Sequence, residues 1–144
     1  MSSGPTISQD TLIKVPFFDV DSMNVAWHGH YLKYFEIARC NLLDSLGYNY
    51  QTMKETGFMF PIVEVNIKYL QPLIFNQEIC VRAILSEWEF RLKISYEVYD
   101  HATTTLLTKA YTVQAAVDPQ TKLLRIGCPD MLLEKVKSRL GDLE

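Results

Sequence analysis

Two acids and a helix start lie close together in the segment that runs from Phe17 to Tyr31. A strand-like run, Thr11 to Phe18, ends at Asp19 and Asp21, and a helical pattern begins at Tyr31. The loop acids therefore face the N-terminus of that helix. Backbone amides at a helix N-terminus lack internal acceptors and carry partial positive charge. The arrangement favours attack on a carbonyl group and stabilisation of the oxyanion that forms.

In such a site Asp21 is the candidate base or nucleophile, and the amides around His28, Gly29 and His30 are the candidate oxyanion donors. A glycine at position 29 also lets a ligand approach the helix start closely. The alternative for Asp21 is a loop carboxylate that caps the following turn. The alternative for His28 and His30 is a buried imidazole that donates a hydrogen bond to a backbone carbonyl. A metal pair is disfavoured, because no cysteine or acid at ligand spacing completes a site.

The element that must position this loop is a helix over Tyr31–Leu46. Apolar residues recur there at spacings of three and four, which predicts one wide apolar face and an end at Gly47. Glu36 and Arg39 lie three residues apart and are expected to pair along the helix. A second branch of the family that the chain resembles, named below, places its catalytic acid on this helix, and this makes Glu36 the rival acid. A short helical turn is predicted over Gln51–Thr56.

Alternating polarity then predicts four strands and, after Pro129, a short C-terminal helix. The third strand is expected to carry Phe90 on the same face as Leu92. This order predicts an α+β fold in which one antiparallel sheet wraps around a long central helix. Apolar side chains on the other face of the sheet call for a partner subunit. The predicted elements are Ile62–Leu70, Ile79–Leu85, Phe90–Tyr99, Thr104–Val117 and Met131–Leu140.

Length and composition predict one domain over residues 10–144 after a disordered lead-in of residues 1–9. The net charge of −3 and the scattered basic residues give no reason to expect nucleic-acid binding. The N-terminus does not read as a signal peptide, and no apolar run is long enough for membrane insertion. Three widely spaced cysteines predict neither a disulfide framework nor a zinc site, and a reducing cytoplasm fits best.

The residue pattern resembles the YbgC/4-hydroxybenzoyl-CoA thioesterase group of hotdog-fold acyl-CoA thioesterases, over roughly residues 10 to 135. One departure is Asn24, since family members commonly have glycine at that position, in a turn that needs a positive φ. Asparagine tolerates that conformation better than most residues. The matching segments are Asp19-x-Asp21, His28-x-x-Tyr31, Tyr34-Phe35-Glu36-x-Ala38-Arg39, Phe60-Pro61-Ile62-Val63 and Tyr69-Leu70-Gln71-Pro72-Leu73.

The resemblance implies a cytoplasmic acyl-CoA thioesterase that works as a homodimer or homotetramer without a metal or redox cofactor. Asp21 matches the family's catalytic acid, whereas Asp19 is interpreted as a structural acid. His28 matches the position whose main-chain N–H polarises the thioester carbonyl. Gly29 and Phe60 are then candidate substrate-binding residues, and Phe60 would line an acyl pocket. Because its neighbours are hydrophobic, a place for Phe60 in the core is the simpler interpretation.

Several alternatives remain open at this stage. Asp21 can attack the thioester carbon directly or activate a water molecule. The substrate can be a coenzyme A thioester or an acyl carrier protein thioester. An aromatic or medium-length acyl group is slightly preferred. A hydratase is disfavoured because Asp21 and His28 are too far apart for that motif. A non-catalytic acyl-CoA-binding protein is the alternative from another functional class.

Overall fold

The computed structural model describes residues 6–123 and 127–143. Five antiparallel strands form one sheet in the order β1-β3-β4-β5-β2, and the long helix α1 packs against it. This confirms the predicted α+β architecture. The elements are β1 Ser8–Lys14, α1 Tyr31–Ser45, α2 Tyr50–Glu55, β2 Ile62–Tyr69, β3 Glu78–Glu87, β4 Leu92–Asp100, β5 Leu106–Gln114 and α3 Asp130–Leu143.

Helix α1 forms where the apolar periodicity predicts it, because one side of it is buried against the sheet. The Phe35 ring stacks on the Tyr96 ring of β4 at 4.6 Å between centroids. Burial of a side chain of this size contributes about 2 kcal/mol. The helix ends before Gly47, whose φ of 75° confirms the predicted stop. Its buried residues are Tyr31, Tyr34, Phe35, Ala38, Arg39, Leu42 and Leu43.

The two faces of the sheet differ in polarity. The inner faces of β3 and β4 are apolar, whereas the inner face of β5 carries the buried polar side chains of Thr108, Thr112 and Gln114. The outer face is mixed, and opposite charges meet across its strands, as where Arg82 pairs with Asp10. Apolar side chains such as Leu12 are also exposed on this face, and the partner subunit that they call for stays a prediction.

Uncovered apolar surface also lies along β2, which is an edge strand. Every residue of β2 except Ile67 is exposed. Its predicted alternation holds, because Val65, Ile67 and Tyr69 pair with inner-face residues of β5. Helix α1 packs mainly on β1 and β3, and its contact with this face is made at its first residue, where Tyr31 packs against Tyr69. An exposed edge with an apolar face is a surface that another chain can pair with.

Three predicted boundaries are wrong. Strand β1 covers Ser8–Lys14, because Pro16 has no N–H to donate, and residues 17–19 form a 3-10 turn. The strand includes two residues of the predicted lead-in, and residues 1–5 of that lead-in lie outside the described residues. Phe90 precedes β4 and is 71% exposed, so it does not share the face of Leu92.

The remaining elements agree with their predictions to within a few residues, with β5 shorter at both ends and α3 longer. Within residues 6–123 and 127–143, no helix is both long enough and apolar enough to span a membrane.

Candidate active site

A small hairpin positions both acids of the Asp-x-Asp pair. Val20 pairs with Ala26, and the Asp21 amide donates to the Val25 carbonyl at 3.0 Å. Asn24 lies in the turn with a φ of 65°, so the predicted left-handed conformation is confirmed. The turn thus places Asp21 at the tip of the hairpin, and the returning strand leads directly into the helix start.

Asp21 is exposed at this tip and keeps part of its carboxylate free. Its Oδ1 accepts hydrogen bonds from the amides of Met23 at 2.8 Å and Val25 at 3.4 Å. Those bonds form the turn cap that was the alternative interpretation of Asp21. Within residues 6–123 and 127–143, Oδ2 has no hydrogen-bond partner. One oxygen therefore fixes the side chain, and the other remains available to a substrate or a water molecule.

The helix start supplies donors close to the acid in sequence. Residues 28–30 form a 3-10 turn that runs directly into α1. The His30 amide donates to the Trp27 carbonyl at 2.9 Å. In the described part of the chain, the amides of His28 and Gly29 have no acceptor. These two N–H groups lie at the positive end of the helix, where negative charge is stabilised.

Asp19 has the opposite environment and is buried, as its interpretation as a structural acid predicts. Its carboxylate accepts hydrogen bonds from Lys33 Nζ at 2.6 and 2.7 Å and from the Tyr34 hydroxyl at 2.7 Å. His30 Nδ1 lies 3.6 Å away. Burial acts to raise the pKa of Asp19, but the bonds from Lys33 and Tyr34 and the nearby positive charges hold it below its ordinary value. The same contacts and burial raise the pKa of Tyr34.

The predicted ion pair between Glu36 and Arg39 is wrong. Arg39 is buried and donates to the Tyr50 hydroxyl at 3.2 Å, while Glu36 is exposed. Arg39 Nε has no hydrogen-bond partner among the described residues. Spacing along a helix cannot identify which tertiary partners compete for a long side chain, and here a tyrosine hydroxyl from α2 is the partner. The rival acid Glu36 is not brought into contact with Asp21.

Phe60 lies apart from the hairpin and the helix start. It is 9% exposed and packs edge-on against Tyr48, as the core interpretation predicts. It precedes β2, whereas Tyr69 closes that strand and donates to the His28 carbonyl at 3.3 Å. Nine residues of extended chain span about 30 Å, so Phe60 and the helix start lie at opposite ends of β2 in one protomer.

Sequence reasoning missed the aromatic side chains around the helix start. The Trp27 ring lies 4.9 Å from His28 and 5.5 Å from His30, measured between centroids. Tyr69 packs edge-on against both Tyr31 and His28. Tyr69 is the last residue of the alternating apolar set in the predicted strand Ile62–Leu70. Its contact across the fold was not predictable, because that contact depends on how β2 ends beside the hairpin.

The chain is similar to known proteins in both sequence and structure. Residues 15–136 match the model of the thioesterase-like superfamily. The Bacillus subtilis protein named "Putative acyl-CoA thioesterase YneP" is 29% identical over 110 residues, which cover 76% of this chain and 79% of that protein.

Two solved structures show the fold. A hypothetical protein from Thermus thermophilus superposes with a TM-score of 0.78 at 27% identity, over 95% of this chain and 98% of that one. A DHNA-CoA thioesterase from Staphylococcus aureus gives a TM-score of 0.80 at 22% identity, over 95% of each chain. Together with the strand order, these neighbours identify the hotdog fold.

Proposed function

The chain belongs to the thioesterase-like superfamily, and from this premise we propose that it is an acyl-CoA thioesterase that hydrolyses an acyl or aroyl thioester to the free acid and coenzyme A. One observation carries the proposal. Among the described residues, a single hairpin presents a carboxylate oxygen of Asp21 that has no partner, and it leads into two backbone amides that have no acceptor, at His28 and Gly29. A nucleophile or base and an oxyanion site are the two parts that acyl transfer requires.

The proposed reaction begins when the thioester oxygen accepts hydrogen bonds from the amides of His28 and Gly29. Asp21 then acts in one of two ways. Its free oxygen attacks the carbonyl carbon and expels the thiolate, and water opens the resulting anhydride. Alternatively, it takes a proton from water as that water attacks. A well-placed amide donor lowers such a barrier by about 3 kcal/mol. A thiolate is a fair leaving group, so strong protonation of the sulfur is not required.

The substrate pocket is proposed to need a second copy of the chain. Antiparallel pairing of two β2 edges would bring the Phe60 end of one copy beside the Tyr69 end of the other. The exposed apolar face of Val65 and Tyr69 supports this arrangement. Phe60 can then contribute to the acyl pocket of its neighbour, although it is distant from Asp21 within one protomer. Gly29 is proposed to bind the substrate through its backbone amide.

The resemblance to the YbgC/4-hydroxybenzoyl-CoA group supports further parts of the proposal. They are a homodimer or homotetramer in the cytoplasm, a single functional domain over residues 10–144, and coenzyme A as the thiol that is released. Among solved structures of similar fold, one is a 1,4-dihydroxy-2-naphthoyl-CoA thioesterase and another is a gentisyl-coenzyme A thioesterase. Aroyl thioesters are therefore included in the substrates to be tested.

A non-catalytic acyl-CoA-binding protein is the second candidate, because the Oδ1 contacts of Asp21 are also those of an ordinary turn cap. Thiol release from a panel of aliphatic and aroyl coenzyme A thioesters separates the two. Turnover of any of them supports the thioesterase. If no thiol appears, acyl carrier protein thioesters are tested next. Tight binding without thiol release from either class would overturn the proposed hydrolysis and favour the binding protein.

A further inference from the structure

The indole of Trp27 lies directly over Gly29. A Cβ built on Gly29 would be 2.1 Å from Cζ3 of that ring and 2.5 Å from Cη2, far closer than real Cβ atoms approach another atom. Gly29 is not among the glycines with positive φ in the described chain. Its backbone would therefore accept other residues, and the position of the indole is what requires glycine here.

The backbone of Trp27 is held by hydrogen bonds on both sides. Its amide donates to the Asp19 carbonyl at 3.1 Å, and its carbonyl accepts from the His30 amide at 2.9 Å. The side chain packs against Gly29 and the rings of His28 and His30, yet Trp27 is 53% exposed. A large aromatic surface thus remains open beside the two amides that lack acceptors.

Resting on the proposed function, we propose that Trp27 determines specificity for planar aroyl thioesters, and that Gly29 is the residue that lets its indole lie beside the oxyanion site. In an aroyl thioester the ring is one bond from the carbonyl carbon and coplanar with the carbonyl group. When the carbonyl oxygen is bound by the amides of His28 and Gly29, that ring lies within reach of the indole. Offset stacking between aromatic groups favours this pairing over contact with a flexible alkyl chain.

The first test compares kcat/KM for benzoyl-CoA and hexanoyl-CoA in the wild type, Trp27→Ala and Trp27→Phe. Loss of the indole is expected to lower the benzoyl value by roughly tenfold and leave the hexanoyl value within about twofold. Trp27→Phe retains an aromatic face and should restore most of the selectivity. Equal losses for both substrates, or no loss for either, would overturn the inference. A denaturant titration of each variant checks that it is folded.

A double-mutant cycle tests the role of Gly29. Gly29→Ala places a methyl group where the indole lies, so it should lower benzoyl selectivity about as much as Trp27→Ala does. If it acts by displacing the indole, the double variant is no worse than Trp27→Ala alone. Additive losses would mean that the methyl group blocks the ligand itself, and they would overturn the assigned role of this glycine.

Fluorescence separates failure of this inference from failure of the proposed function. The chain has two tryptophans, so Trp88→Phe leaves Trp27 as the sole reporter. Trp88 follows β3 and packs against the hydrophobic core. Benzoyl-CoA is expected to change Trp27 emission more than hexanoyl-CoA at equal occupancy. Absence of that difference would overturn the inference even in an active enzyme. Absence of turnover with the difference present would overturn the proposed hydrolysis alone.

Discussion

Asp19 and Asp21 are separated by one residue but have opposite environments. Asp19 is 1% exposed, and three side chains from α1 and its lead-in turn surround its carboxylate. Asp21 is exposed, and its partners are two backbone amides of its own turn. The difference arises because Asp19 ends the 3-10 turn of residues 17–19 beside α1, whereas Asp21 lies in the hairpin turn beyond it. One acid therefore faces the helix, and the other faces the solvent.

This contrast indicates how the loop can be both rigid and reactive. A carboxylate whose oxygens are already occupied by a cation and a hydroxyl stabilises the fold but has little capacity left for a substrate. A carboxylate held through one oxygen keeps its position and still has a free lone pair. In this account Asp19 fixes the hairpin to α1, and Asp21 uses the rigidity that results. Substitution of Asp19 should therefore mainly lower stability, whereas substitution of Asp21 should mainly lower activity.

The largest expected effect on stability is that of Asp19→Ala. It should lower the free energy of unfolding by about 3 kcal/mol, because it leaves the buried Tyr34 hydroxyl without an acceptor and Lys33 without its anion. Urea denaturation measures the change. The matched control is Asp10→Ala, which breaks the exposed pair with Arg82 and should cost under about 1 kcal/mol. Equal costs for the two variants would contradict the assigned role of Asp19.

The decrease in unfolding free energy at acid pH should depend on the same residue, Asp19. The pKa of Asp19 is lowered in the folded state, so its contribution is fully present above its unfolded pKa of about 3.9 and is lost as pH falls through the folded value. The difference in unfolding free energy between the wild type and Asp19→Asn should therefore be constant near neutral pH. It should shrink below about pH 4. A difference that is independent of pH would contradict a charge-based contribution.

A smaller effect is expected from Tyr34→Phe, which removes one hydroxyl bonded to Asp19 and keeps the ring. The expected loss is about 1.5 kcal/mol, since hydrogen bonds to charged groups contribute more than neutral ones. Tyr111→Phe is the control, because its hydroxyl bonds to Glu64 on the exposed outer face. That variant should change stability by under about 0.5 kcal/mol. Comparable losses in both would show that the buried network is no stronger than a surface contact.

The smallest effect concerns the turn that carries Asp21. Asn24→Gly should change stability by no more than about 0.5 kcal/mol and leave activity intact, because glycine adopts a φ near 65° freely. Asn24→Ala should cost about 1 kcal/mol, because the left-handed conformation is unfavourable for alanine. Thermal denaturation of the two variants provides the comparison. A stable Asn24→Ala with an unstable Asn24→Gly would contradict the assigned conformation.

Local signals predicted the scaffold well. The spacing of apolar residues placed α1, Gly47 marked its end, and alternation located β2, β3 and the core of β5. These features depend on a few neighbouring residues, and the physical preferences of those residues are enough to determine them. The left-handed turn at Asn24 was expected instead from the family resemblance.

Features that depend on distant partners were not predictable in the same way. The side chain of Arg39 turns inward to Tyr50, because α2 folds back beside it. The inner face of β5 carries polar side chains, and a pattern-based assignment cannot tell which face of a strand is buried when both carry apolar residues. The contact between Trp27 and Gly29 depends on one rotamer. The site was therefore predictable as a loop acid beside a helix start, but its aromatic surroundings were not.

The most direct test of the central claim is thiol release from acyl-CoA by Asp21→Asn, measured beside Asp19→Asn and the wild type, with the unfolding free energy of each. The account predicts that Asp21→Asn lowers kcat/KM by about a hundredfold or more and changes the unfolding free energy by under about 1 kcal/mol. Asp19→Asn should show the larger loss of stability. Turnover by a folded Asp21→Asn within about tenfold of the wild type would contradict the assignment of Asp21 as the reacting acid.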